Sequence, residues 1–380
     1  MSNPASQLFS AAFAFRGYNT TNLGRTAEFL AHPVYGATVK RHLTEAAQIC
    51  SHVVKRPIDL ISRVQRNEEA TLEEYDEAVA LIVAVEMAQV QILRDHFAFD
   101  YSKVHMAFGY SLGEIAALVA SNMLSLEDAL TVPLAMAKEC VELAHDATLG
   151  VLFSRGPAID LAKVDWLCLQ INSEGMGVIG VSSYLAPNSI LLIGQGTTID
   201  RFSARMKDCF PHRLYLRKNE HRWPPMHTPI IWQRAIPNRA AVMLHTIKPN
   251  PKGPIPPVFS LVTGNMSYDE INCREILTKW VDHPQRLWDA VNETLVLNCK
   301  AVVHVGPEPN LILATFTRLA ENVKLQTGAR SLGGFGLRAV ASAVGRPWLA
   351  RMLPSRSTLL RAPALRQIIL EDWLLENSPA

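Results

Sequence analysis

Gly109-Tyr110-Ser111-Leu112-Gly113 sets a serine between two glycines in the pattern G-x-S-x-G. The apolar run His105–Phe108 before it reads as a strand and Glu114–Ser121 after it as a helix. A serine on such a turn sits in strained backbone with its hydroxyl clear of the sheet edge, and glycine neighbours let a second backbone approach closely. The Leu112 N–H, at the helix N-terminus, is aimed where an oxyanion would form. The chemistry is nucleophilic attack on an acyl group; a turn of small residues without chemistry has the same pattern. A serine nucleophile needs a base, and twelve histidines do not by themselves single one out. No phosphate-loop spacing and no H-E-x-x-H grouping is present, so neither cofactor nor metal is indicated.

The elements that must hold this turn follow from periodicity. Residues 9–16 form an apolar strand ending at Gly17, and a helix follows from about Thr26. Glu74–Arg94, rich in Ala, Val and Leu, is a helix buried on most of its surface. Ser125 caps another. Between 147 and 208 the texture changes. Strand-like runs (Gly150–Phe153, Trp166–Ile171, Gly177–Val181, Ile190–Ile193) alternate with helix-like stretches at 157–164 and 198–208, the pattern of an inserted α+β subdomain. A Pro-rich loop (Trp223–Pro229), a strand at Pro257–Val262, helices near 270–280 and 286–298, and the strand Ala301–Val305 complete an alternation that argues for a largely parallel sheet.

Composition narrows the class. The 380 residues are 48% hydrophobic and 19% charged, which excludes a disordered or fibrous chain, and no repeat is visible. Of the net +2, residues 330–380 hold seven arginines against three acids, a local +4, so the rest carries −2 and is no nucleic-acid binder by charge. The six cysteines lie far apart with no C-x-x-C pair, which fits a reducing, cytoplasmic setting. The N-terminal segment lacks a signal peptide's basic start, and Ala78–Leu93 is broken by Glu86, Gln89 and Gln91 before spanning length, so no membrane span is expected.

GYSLGEIAALVASNMLSLEDAL resembles the active-site block of the malonyl-CoA:acyl-carrier-protein transacylases and of polyketide synthase acyltransferase domains. Four further landmarks follow in the family's order: FAFRGYNTTNLGR (13–25), PPMHTPI around His227, WVDHPQRLW (280–288) and HVGPEPNLILATF (304–316). The resemblance covers about 10–320. It implies an α/β fold, a hydrolase-like, largely parallel sheet core (1–146 and 209–325) with an inserted ferredoxin-like α+β subdomain (147–208); the tail 326–380, beyond the resemblance, reads from its own arginines and apolar residues as a basic amphipathic C-terminal extension. The resemblance implies ping-pong acyl transfer between coenzyme A and an acyl carrier protein. By that resemblance Ser111 would be the nucleophile, His227 the base, the Leu112 and Tyr18 N–H groups the oxyanion donors, and the carbonyl of about Trp280 would orient the histidine. Acyl-CoA is then a substrate and no cofactor is tightly bound. His221 is the rival base.

The departures bear on substrate. Family members specific for malonyl groups carry an arginine about 25 residues after the serine, a bidentate clamp for the free carboxylate. Met136 stands there, and Lys138 is about 200° further round a helix. A buried malonyl carboxylate would then lack its cation, so the expected acyl group is uncharged. Tyr110 replaces the family's histidine, and Tyr110, Met136 and Met226 are the expected acyl-pocket residues. Glu114 and Asp128 read as helix-start charges. Three functions stay open: a free-standing acyltransferase, an editing acyl hydrolase of the same fold, and a non-catalytic carrier-protein scaffold. The tail reads either as a packed extension or as a basic dock for an acidic carrier protein.

Overall fold

All five residues of strand β1 (Ala11–Phe15) are fully buried, because the strand lies at the centre of a parallel sheet covered on both faces. The computed structural model describes residue 8, residues 10–327 and residues 357–379. β1 pairs in parallel with β2 (Met106–Gly109) and β8 (Ala301–Val305), and β7 (Val258–Phe259) and β9 (Arg366–Ile369) take the edges, giving the order β7-β2-β1-β8-β9. Side chains alternate across the sheet. Phe13 and Phe15 join one core with helices α4 (Tyr75–Phe97), α5 (Leu112–Ala120) and α6 (Leu126–Ala144). Ala12, Ala14, Met106 and Phe108 face a second core with α11 (Leu287–Val296) and α12 (Leu311–Thr327). Register sets Phe15 level with Gly109 and with Val305, so the loops leaving three strands meet at one edge.

Helix α4 is buried nearly throughout, between the sheet side and helix α2 (Gly36–Val54), as its apolar sequence requires. Its polar residues have defined places: Gln89 Oε1 accepts the Gly306 N–H at 2.7 Å. Glu86 lies beside Arg16 with both carboxylate oxygens unpartnered, and burial pushes its pKa well above the usual range.

The second sheet is antiparallel: β3 (Ala147–Ser154), β4 (Ile179–Ala186), β5 (Ser189–Gln195) and β6 (Leu214–Lys218), in the order β4-β5-β3-β6. With α7 (Leu161–Asn172) and α8 (Thr198–Cys209) it follows the chain order β-α-β-β-α-β of a ferredoxin-like unit. Two expectations change here. Trp166–Ile171 is helical, since Asp160 caps α7 by accepting the Lys163 N–H and the buried positions Val164, Leu167, Cys168 and Ile171 follow a 3.6-residue period. The sheet also does not stop at 208, because β6 supplies its fourth strand beyond α8.

Of the C-terminal region expected as amphipathic helices, residues 328–356, with five of its seven arginines, lie outside the described residues. Residues 366–369 form β9 instead, an edge strand on β8. Helix α13 (Leu370–Glu376) follows, and its buried Glu371 accepts the N–H groups of Arg25 (3.0 Å) and Glu308 (3.1 Å), fastening the loops after β1 and β8. All six cysteines are unpaired. No helix of the described residues is long and apolar enough to cross a membrane.

Candidate active site

The site stands at the carboxyl ends of β1, β2 and β8, where parallel sheets open onto their loops. The chain turns from β2 into α5 at Ser111, whose φ of 53° and ψ of −115° are strained for a residue with a side chain. Both flanking glycines are required sterically. A Cβ on Gly109 would lie 2.0 Å from the Gly113 carbonyl carbon, and one on Gly113 would lie 2.1 Å from the Phe15 oxygen.

Ser111 Oγ–H donates to Nε2 of His227 at 2.7 Å. On the other side of the ring Nδ1–H donates to the Trp280 carbonyl at 2.6 Å, so Nδ1 carries the hydrogen and Nε2 is free to accept the serine proton. Trp280 also closes the loop the other way, its indole N–H donating to the Ser111 carbonyl at 3.0 Å. His227 is buried with φ of 63°, held by its own N–H to Val281 O (2.9 Å) and by Ser182 Oγ–H to Met226 O (3.3 Å). Burial lowers its pKa to about 4, opposed by the Trp280 hydrogen bond, which leaves the imidazole neutral at neutral pH.

The Leu112 N–H opens α5, and the Tyr18 N–H lies in the loop after β1; neither has an acceptor among the described residues. That loop is braced from within. Asn22 Oδ1 accepts the Asn19 N–H (3.0 Å), and Glu69 takes the N–H groups of Asn22 and Leu23 (2.7 and 3.1 Å). Arg16, 1% exposed, donates to the carbonyls of Gly17, Thr21 and Pro307 and to Asn22 Oδ1. Tyr18 packs edge-on against Tyr75 and Trp223 (4.8 and 5.9 Å between centroids), and burial pushes its phenol up to about 12.

A cavity of about 390 Å³ opens over Ser111 and His227. Its walls are mostly apolar: Leu149, Val151, Leu191 and Ile193 from the small sheet, and Tyr75, Trp223 and Met226 from the larger unit. Tyr110 and Met226 line this cavity, and Met136 does not. Met136 is 1% exposed inside the core on α6, because the α6 surface meets the back of the cavity wall, with Cys140 Sγ at 3.4 Å from Met226 Sδ. Lys138 is exposed, and so is His221, which stands outside the cavity. Glu114 is no surface charge. Fully buried, it accepts from Tyr268 Oη–H (2.7 Å) and the Leu261 N–H (3.1 Å), and desolvation raises its pKa to about 7.

Two residues lie inside sequence landmarks (13–25 and 280–288) without having been singled out there. Arg16 and Gln285 are of types and spacings that match no catalytic pattern, yet Arg16 lines the cavity and Gln285 Oε1 and Nε2 stand 3.4 Å from Ser111 N and 3.3 Å from His227 Nδ1. Among the described residues no cluster of three or more His, Cys, Asp or Glu could hold a metal ion.

No family model matches the chain. Over 207 residues, 53% of its length, it is 28% identical to a reducing polyketide synthase of Cochliobolus heterostrophus, and spans 9% of that relative. Among solved structures it superimposes on FabD from Acinetobacter baumannii with a TM-score of 0.64 at 19% identity, covering 82% of this chain and 91% of the other. The fold is the transacylase fold. The acyltransferase domain from module 8 of the salinomycin polyketide synthase matches with a TM-score of 0.63 at 20% identity, over 94% of this chain and 78% of that domain. A malonyl-transacylase in complex with a type II polyketide synthase acyl-carrier protein matches at 0.60 and 19% identity, over 80% and 91%. The transacylase fold thus contains both sheets described above, the parallel one carrying the serine turn and the antiparallel one walling the cavity.

Proposed function

We propose that the protein is an acyltransferase that moves an uncharged acyl group from coenzyme A to an acyl carrier protein through an ester on Ser111. The observation that carries this reading is the chain Ser111 Oγ–H to His227 Nε2, Nδ1–H to Trp280 O, opening onto a cavity with apolar walls. Ser111 Oγ attacks the thioester carbonyl while Nε2 takes its proton, and the oxyanion is met by the Leu112 and Tyr18 N–H groups. The C–S bond breaks, coenzyme A leaves as a thiol with the proton from His227, and an acyl ester remains. The carrier's thiol then repeats the sequence in reverse. The Trp280 carbonyl holds the ring in the productive tautomer; no cofactor enters the scheme.

Arg16 is the basic side chain among the cavity-lining residues, and its three guanidinium nitrogens are spent on backbone carbonyls and Asn22. Among the described residues a malonyl carboxylate would meet no free cation in the cavity, which supports a neutral acyl group. The likeness to a transacylase in complex with its carrier protein supports a carrier as acceptor. Six unpaired cysteines support a reducing, cytoplasmic setting. In this reading residues 10–146 and 219–325 form the core and residues 147–218, which end with β6, its small subdomain.

The test is intact mass after incubation with acetyl, propionyl, hexanoyl, longer acyl, malonyl and methylmalonyl thioesters, alongside Ser111→Ala. A Ser111-dependent adduct from neutral thioesters that a carrier protein discharges is the expected result. A malonyl adduct would refute the substrate class, discharge by water alone would make the protein a hydrolase, and no adduct from any thioester would leave a carrier-protein scaffold.

A further inference from the structure

Gln285 is fully buried in the turn between helix α10 (Cys273–Asp282) and α11, and its two ends belong to different parts of the molecule. Its main chain is stitched to β4 of the small sheet. The Gln285 N–H donates to Ser182 O (2.9 Å), and its carbonyl accepts the Tyr184 N–H (2.9 Å) and Ser183 Oγ–H (3.0 Å). Its side chain reaches the other way, where Oε1 accepts the Ser111 N–H at 3.4 Å and Nε2 lies 3.3 Å from Nδ1 of His227.

We propose that Gln285 is a positioning residue for the Ser111–His227 pair, holding the strained serine turn through Oε1 and setting a neutral amide against Nδ1 so that the base stays uncharged. The inference rests on the acyl-transfer reading of the same site. Because Nδ1–H already donates to Trp280 O, the Gln285 amide N–H faces another N–H rather than a lone pair. A second proton on the ring makes it a cation beside the positive end of that amide dipole, which disfavours the charged form.

Among the described residues the surrounding elements leave this amide without a charged competitor. Asp282 and His283 pair with each other, Arg286 pairs with Asp289, and Glu114 bonds Tyr268. Burial holds the Cys140 thiol of α6 and the Tyr110 phenol neutral, each pushed up to about 12, and Arg16 is spent on carbonyls. A glutamate fits the same space and reverses the sign, placing a carboxylate within hydrogen-bond reach of Nδ1. The main-chain ties to β4 also make Gln285 the strut between the small sheet and the serine turn.

The test follows the pH dependence of labelling by a fluorophosphonate from pH 4 to 8. In that reaction the Ser111 Oγ–P bond forms, fluoride leaves and the serine proton passes to Nε2 of His227. Gln285→Glu is expected to move the acidic limb up by about one to three pH units, the effect of an opposite charge at this distance. Gln285→Met is expected to slow labelling about tenfold or more at every pH, by releasing the serine turn. An unmoved limb in Gln285→Glu, or a wild-type rate in Gln285→Met, overturns the proposal. Should the methionine variant fail to fold, Gln285→Asn, which withdraws the amide by one methylene, is expected to lose rate in the same way, and a wild-type rate there refutes the positioning. The phosphonate needs only an activated serine, so labelling with the expected limbs but no acylation by any thioester would sink the acyl-transfer reading and leave this part for Gln285 standing.

Discussion

Gly113→Ala is the substitution on which the geometry of the serine turn is most exposed. The new Cβ would lie 2.1 Å from the Phe15 carbonyl oxygen and 2.5 Å from that of Arg16, and to open the shorter contact to 3.0 Å the backbones must part by 0.9 Å. Neither side yields easily. Phe15 belongs to a strand with no exposed residue, and Gly113 lies in the first turn of a buried helix. Overpacking of this kind costs about 1–3 kcal/mol, and alanine returns only about 1 kcal/mol as a better helix former. With both contacts falling on backbone atoms the cost sits at the upper end, so the expected net loss is at most about 2 kcal/mol, a fall of a few degrees in Tm. The larger effect is on rate. Moving the start of α5 by nearly 1 Å separates the Leu112 N–H from the Tyr18 N–H and lengthens the 2.7 Å contact of Ser111 with His227, a displacement that costs about 10²-fold. The assay is the rate of Ser111 adduct formation by intact mass, with thermal unfolding in parallel. Gly150→Ala in β3 is the control, because its Cβ would meet only side-chain ends, the nearest at 3.1 Å. A Gly113→Ala protein with wild-type Tm and a rate within about threefold of wild type would refute the steric reasoning, which expects a loss of about 10²-fold for a displacement of this size.

Two more expectations rest on buried titratable groups. Since burial holds the His227 pKa at about 4, serine acylation is expected to stay flat from pH 8 to about pH 5 and to fall only as the pH drops through about 4, with His227→Ala slowing acylation by about 10²–10⁴-fold; a limb near pH 6.5 in the rate profile would mean an ordinary, solvated base. Glu114, raised to about 7, is protonated in the folded protein over a range where the unfolded chain has lost the proton, so its contribution falls as pH rises from about 4.5 to about 7, by about 3 kcal/mol. Denaturant unfolding at pH 5 and pH 8 should therefore show Glu114→Gln relatively more stable at the higher pH, and an equal difference at both would exclude titration of this carboxyl.

The amino-acid sequence alone carried the serine turn. G-x-S-x-G between an apolar strand and an apolar helix is a local pattern, and the physics that demands it, two glycines for two backbone approaches, is local as well. The buried strands β1 and β8 and the buried helix α4 were legible for the same reason, since an uninterrupted apolar run states its own burial. Segments whose apolar residues admit two periods were not: Trp166–Ile171 reads as a strand until the Asp160 cap and the 3.6-residue burial pattern make it a helix.

Tertiary structure decided everything that depends on which segments meet. β9 is a strand because Val302 and Val303 of β8 lie beside Gln367 and Ile368, a partner more than sixty residues away that no local pattern can name. Met136 occupies an aligned position but is buried in the core, on a helix that meets Met226 through Cys140, because which residues of a helix reach the cavity is set by how the helix packs and not by spacing from Ser111. Arg16 and Gln285 are ordinary polar residues along the chain. One becomes a clamp on the loop after β1 and the other a strut beside His227 because the fold, not the local sequence, brings their partners to them: the Pro307 carbonyl to Arg16, and the Ser111 N–H and β4 to Gln285.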